Sequence, residues 1–578
     1  MKFQRQIASL SLLAALLSGC GKEPDTAATT SAQTPQQPAT IVFVNGDIVT
    51  VNAAQPTAEA VAIRAGKIFA VGSRDSVLAS AGENAELKDL GGNTLLPGLI
   101  DTHGHISFTA LNQTSVNVSS PPVGPAEDVD DVVALLQAGL AQKPDTDWLT
   151  GWGYDDSLLT EKRHPTREDL DQVSSDIPVV IRHVSGHFLA CNSKCLQLAG
   201  VTADTQNPKG GVIRRRRGTA EPDGVLEETA MLQVFNALPQ ATVEQRLALL
   251  QPAQQYYASY GITTVQDGAA SADDINLMRQ AADQKKLYLD VIAFAYEQMP
   301  GTSMDDFPPA RSYHNHFRVG GVKLVLDGSP QGKTAFLTEA YLHPPQGQEP
   351  GYRGYPSMDD EEVAAHIAHA FANNIPVQAH ANGDAAADQL INAVRAANQE
   401  YGTDDRRTVM IHAQTVREDQ QDAMQAEGII PSYFAAHTFY WGDWHRDSVL
   451  GVERASRISP LKTTADRGML YTTHNDTPIV PPDMMRLLWS SVNRVTRSGR
   501  VLGEAQRVSA LEALKSMTIN GAYQYFEENE KGSIEVGKLA DLVILDQNPL
   551  KVEAMNIVDI KVLETFKEGI SVYRKTSL

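Results

Sequence analysis

The sequence predicts an α/β chain: a (β/α)8 TIM-like barrel with a small discontinuous β-sandwich domain built from the N- and C-terminal segments. Three observations carry that expectation. From about Pro97 to Glu530, apolar strands alternate with helical patterns, and alternating βα units imply a parallel sheet. On either side of this stretch lie β-rich ends written in a similar style. Several of the internal apolar strands also finish in residues of metal-ligand type, and strand C-termini are where a barrel gathers its site.

Size and charge bound the rest. A chain of 578 residues suits a barrel with additions better than one domain of the usual ~100–200 residues. Hydrophobic residues make up 42% and charged residues 21%, an ordinary globular composition. The net charge of -21 excludes a nucleic-acid partner, which needs a basic surface, and excludes electrostatic docking on anionic lipid. The expected partner is a small-molecule substrate; a homo-oligomer is left open.

The first residues differ from the rest. Lys2 and Arg5 precede an apolar run from Ile7 to Leu17, too short to cross a bilayer (~20 residues) but suited to a signal peptide over residues 1–19. Leu17-Ser18-Gly19-Cys20 resembles the bacterial lipobox, in which the cysteine is acylated. Residues 20–40 then read as a lipidated Cys20 and a flexible tether. The expected location is the periplasmic face, with contact to the membrane only through the anchor. Gly21, in place of a retaining aspartate, points to the outer membrane rather than the inner. Cys191 and Cys195 read as packing residues rather than a bridge.

Residues 41–96 open with Ile41-Val42-Phe43-Val44, an Asn45-Gly46 turn and a return strand, and Ala60 to Val71 form another hairpin. Residues 531–578 supply the matching C-terminal strands. The barrel is expected over 97–530, with an insertion at about 109–260, containing Trp148, Trp152, Arg182 and His183, that roofs the site.

The chemistry begins at Thr102-His103-Gly104-His105. Residues two apart on a strand share a face, so His103 and His105 aim two imidazoles at one point. His314-Asn315-His316 has the same spacing but lies in a polar loop, and is read as a surface pair; His366 and His369 are placed on a solvated helix face. Three further apolar strands end at His380, at His412 and at Asp476. Three or more N/O ligands with an open position make the pattern of a catalytic zinc centre. Gly328 to Thr334 is one residue short of a phosphate loop and is rejected. Arg214 to Arg217 reads as a solvated hairpin, with a grip on an acidic substrate as the sharper alternative.

Motifs spread from Ile41 to Tyr573 identify a family resemblance. They include Pro97 to His105, His187 with Asn192-Ser193, Gly261 to Val265, Lys323 with Asp327-Gly328-Ser329, His380 with Gly383-Asp384, His412-Ala413 and Asn475-Asp476-Thr477-Pro478. The chain resembles the amidohydrolase superfamily, in its amidohydrolase-3 branch of YtcJ-like proteins and N-substituted formamide deformylases. That resemblance implies a divalent-metal hydrolase, zinc before manganese or iron, with one or two ions per chain. His103, His105, His380, His412 and Asp476 fall on its ligand positions, and Lys323 where many members carry a carboxylated lysine bridging two metals. Asp476 is expected as general base and then acid. His187 and His437 are candidates for polarising the substrate carbonyl, Trp152 for substrate contact, and Asp327 for a contact behind a ligand or with substrate. The family's Gly-Ser before that aspartate is His474-Asn475 here, which alters the pocket wall.

Three function classes follow. The first hydrolyses C–N bonds of amides, formamides or cyclic amides. The second uses the same metal site on an ester or lactone, or isomerises. The third is a lipoprotein that binds or regulates without catalysis.

Overall fold

A computed structural model describes residues 40–345 and 347–576. The readings at Cys20 and its leader lie outside those residues. Eight strands form one parallel sheet in sequence order: Leu99–Ile100, Ile262–Ala270, Asp290–Tyr296, Phe317–Val325, Val377–Ala381, Val409–His412, Ile430–Tyr433 and Thr472–Thr473. Most of their residues are buried whichever way they point, as expected of strands covered on both faces.

The ring closes just beyond the first and last strands. The Asp476 amide donates to the His103 carbonyl (3.1 Å), and the His105 amide to that of Thr477 (2.8 Å). Closure thus brings the first histidine pair beside the last carboxylate, 371 residues away in the chain. The enclosing helices are amphipathic. Asp384–Tyr401 turns Ala386, Ala387, Leu390, Ile391, Ala393, Val394 and Ala397 inward, at the spacing of one helix face. Reciprocal capping at Thr242, Ser271 and Asp359 starts three others.

The chain ends supply a second eight-stranded sheet, in which the C-terminal strand Leu542–Leu545 pairs antiparallel with Thr94–Pro97. At the opposite end of the barrel from His380 and His412, buried Asp290 accepts from Lys531, from Lys567 (2.7 Å) and from His316 (2.8 Å). These ion pairs tie the C-terminal segment to the start of a barrel strand.

The insertion between the first two barrel strands holds a six-stranded sheet, from Val116–Asn117 to Pro222–Glu228. Trp441, on a barrel-loop helix, donates to Asp155 of this insertion (2.6 Å). One expectation is corrected here. Cys191 ends a strand and Cys195 lies in the first turn of the helix Ser193–Leu198, with their Cα atoms 5.5 Å apart, and the two form a disulfide. Arg214, Arg215 and Arg216 are engaged within the insertion by Glu227, by backbone carbonyls and by Glu168 respectively. No free basic grip is formed by those three.

Candidate metal centre

The C-terminal ends of the barrel strands gather most of the residues that the sequence singled out. His103 Nε2 lies 3.5 Å from Asp476 Oδ1, His105 Nε2 3.0 Å from the same oxygen, and His412 Nε2 3.9 Å from Oδ2. The His380 and His412 rings are 4.6 Å apart, and Lys323 Nζ sits 3.1 Å from His103 Nε2. His103, His105 and Asp476 place their donor atoms within 4.8 Å of one another. His412 and Asp476 both adopt positive φ (72° and 55°), a strained conformation for side-chain-bearing residues that tends to cluster at functional sites.

Three of the imidazoles, those of His103, His380 and His412, are steered from behind. The Gln266 amide nitrogen donates to the Thr102 carbonyl (3.2 Å) and to Tyr525 Oη (2.7 Å), which fixes the amide orientation. Its oxygen therefore accepts from His103 Nδ1 (2.6 Å), leaving the Nε2 lone pair facing Lys323 and Asp476. Gly268 makes room for this pair: a Cβ there would stand 2.5 Å from His103 Cε1. His380 Nδ1 donates to Asp327 (3.1 Å), whose oxygens also accept from the amides of Asn382, Gly383 and Phe336. Asp327 is wholly inaccessible. Of the two roles considered for it, the structure supports orientation of His380 and leaves no open oxygen for substrate. His412 Nδ1 meets His474 Nε2 (3.1 Å), and His474 Nδ1 meets Ser432 Oγ (2.9 Å).

Electrostatics keeps the ligand atoms bare. Burial drives His103 and His412 well below the ordinary imidazole value, with Lys323 and neighbouring histidines adding to the effect. Burial also lowers His380, against Asp327, and takes His474 to about 3. Lys323 is pulled down to about 7 by burial, opposed by Asp476. Burial pushes Asp476 up, but the hydrogen bond and charge of His105, with His474 and Lys323, more than offset it and leave the carboxylate ionised.

The remaining expectations separate. His187, from the insertion, brings its ring to 5.6 Å from His380, and its Nδ1 donates to Glu228 (2.8 Å). Burial pulls the His187 pKa down, but Glu228 outweighs it and the result is raised. Glu228 holds φ at 49°. His437 packs against Phe434 and Trp441, with Nδ1 on His445 (3.0 Å), and Phe434 in turn meets the rings of His412 (6.2 Å) and His474 (5.4 Å). Trp152 packs edge-on against Phe108 (4.8 Å). His314 and His369 lie at the surface on Asp283 and Asp305, and His366 is half-buried near Glu297. Sequence reasoning passed over Gln266, Tyr525, Ser432 and Glu228. Gln266 had left a signal, an amide side chain next to Asp267 within the barrel strand Ile262–Ala270.

The sequence model of the Amidohydrolase family matches residues 86–573. The chain is 27% identical over 561 residues to N-substituted formamide deformylase of Arthrobacter pascens, covering 93% of this chain and 98% of that protein. It is 26% identical over 544 residues to a protein named as amidohydrolase YtcJ of Bacillus subtilis, covering 90% and 96%. In fold it is similar to an uncharacterized metal-dependent hydrolase of Pyrococcus horikoshii, with TM-score 0.70, 22% identity, and 89% and 99% of the two chains covered.

Proposed function

We propose that this chain, which belongs to the amidohydrolase family, is a divalent-metal hydrolase cleaving a C–N bond of a small amide, formamide or cyclic amide. The observation that carries the reading is the convergence of His103, His105 and Asp476 donor atoms at the closed mouth of the barrel. The donor set fits such an ion: two imidazoles, at least one with its tautomer set from behind, and an ionised carboxylate suit zinc before manganese or iron. His380 and His412 would hold a second ion. Lys323 is the candidate bridge: its neutral amine would add to the carbon of CO2 with loss of one proton to solvent, and the resulting carbamate would help hold both ions.

A divalent ion held there supplies Lewis acidity and lowers the pKa of a coordinated water towards ~7. The rest falls to the chain. Asp476, ionised and buried beside His105, accepts the proton of the attacking water and returns it to the leaving nitrogen. His187, held by Glu228, donates a hydrogen bond to the substrate carbonyl. The insertion covers this mouth and limits bulk water. The name of the Arthrobacter relative puts formamides first among substrates to try. Cys20 is proposed as a lipid anchor at the periplasmic face of the outer membrane. Identical detergent partitioning of wild type and Cys20→Ala would remove that part of the reading.

The test joins metal analysis of purified protein to a hydrolysis screen across formamides, amides and lactones. Turnover of a formamide or amide that is lost in Asp476→Asn supports the assignment. Turnover of lactones alone moves the chemistry to C–O bonds, and metal-free protein of full activity refutes the site.

A further inference from the structure

Arg182 lies on the strand Val179–His183 of the insertion, in register with Trp152 on the neighbouring strand. Its guanidinium carbon is 3.9 Å from the ring centroid of Phe108, 4.9 Å from that of Phe235 and 5.5 Å from that of Trp152. Its Nε is sealed from solvent with no hydrogen-bond partner. Burial alone pulls the group down to about 9, and no carboxylate props it up.

This is unusual for a chain of net charge -21. Arg318, Arg407 and Arg417 each pair with carboxylates, and Arg494, also deeply buried, donates to the carbonyls of Leu502, Ser459 and Ile458. Arg182 alone among these has rings where partners would be. Aromatic rings occupy the faces of a guanidinium and leave its edge, the N–H fork that matches a carboxylate bidentately. Taking such a group out of water without a counter-charge is costly, so an anion supplied from outside has much to offer it.

The frame is joined to the candidate ligands by short stretches of chain. Phe108 sits three residues beyond His105 on the helix Ile106–Asn112, about one turn from that ligand. Arg182 precedes by five residues His187, whose ring meets His380. Arg182 itself is partly exposed rather than closed off.

We infer that Arg182 in its aromatic frame is an anion subsite of the catalytic cleft, and that the substrate is an amide carrying a carboxylate. This rests on the hydrolase reading above and names its substrate class. The guanidinium would hold the carboxylate while the C–N bond lies over the histidines. Trp152 then contacts substrate as a wall of the subsite.

The probes are 4-phenylbutyrate and its uncharged counterpart 4-phenylbutanol, neither of which offers a C–N bond to cleave. Calorimetric titration of metal-loaded protein should show the acid binding at least tenfold more tightly than the alcohol. In Arg182→Met, which keeps the stem volume, the ratio should fall towards one with metal content unchanged; Arg182→Lys should keep part of it. A wild type that binds the two alike overturns the subsite, whether or not the methionine variant folds. So does a folded Arg182→Met that keeps the preference, since the metal would then be holding the acid. Hydrolysis is scored separately. A wild type that cleaves neutral amides without preferring the acid loses only the subsite. One that prefers the acid through Arg182 but cleaves no amide or formamide keeps the anion site and loses the hydrolase reading, and with it the substrate class.

Discussion

Replacing Gln266 by leucine isolates the support behind one metal ligand. Gln266 makes three hydrogen bonds, yet only one partner is stranded by its loss. The Thr102 carbonyl keeps a donor in Gln524 (2.8 Å), and Tyr525 Oη keeps its acceptor, the Asp101 carbonyl (2.9 Å). His103 Nδ1–H, buried with the rest of its ring, has no replacement acceptor in this arrangement. An unpaired buried donor costs ~1–3 kcal/mol, and the metal-free variant should unfold more easily by that amount. The proton can also move to Nε2, which removes the lone pair facing Asp476. Loss of such a supporting contact typically weakens metal binding ~10–100-fold, or ~1.4–2.7 kcal/mol. Competition with a chromogenic zinc chelator measures the second effect, and urea denaturation of metal-free protein the first. Wild-type metal affinity in a correctly folded Gln266→Leu would refute the claim that Gln266 sets the tautomer of His103.

Three further outcomes follow from the same geometry. Lys323→Ala should lower metal content from two ions per chain towards one, with partial rescue by short carboxylic acids and none in Lys323→Arg; elemental analysis decides, and two ions in the alanine variant end the bridge. His314→Ala should change unfolding free energy by less than ~0.5 kcal/mol and leave metal content untouched, because both His314 and its partner Asp283 are about 70% exposed. The third concerns pH. His474 has a folded pKa of about 3, below its unfolded value of ~6.5, so its neutral form is favoured by folding, and that stability is present above pH ~6.5 and lost as pH falls towards 3. Urea titrations of metal-free protein between pH 6 and 4.5 should show His474→Gln losing less stability on acidification than wild type, by up to ~1.4 kcal/mol per pH unit; parallel curves would contradict it.

Much of this protein was legible in local pattern. Strands that must be buried on both faces show as apolar runs, and strand C-termini in a closed parallel sheet share one mouth. His103, His105, His380, His412 and Asp476 could therefore be grouped as candidates without coordinates, since each stands at or just beyond such an end, whereas Lys323 entered only through the family resemblance. The same logic set His314 aside, because its loop is polar and it precedes its strand.

What local pattern could not carry was contact between distant segments. Gln266 behind His103, His474 behind His412 and the four donors around Asp327 arise from barrel closure, which joins strands far apart in sequence. His187 meets His380 only because the insertion folds back onto the barrel. The Cys191–Cys195 bridge depends on a strand end meeting the next helix at 5.5 Å. Periodicity reports which face of its own element a side chain takes. It says nothing of what stands opposite, so the candidate ligands were written in the sequence, while their orientation and the aromatic frame around Arg182 were decided by the tertiary fold.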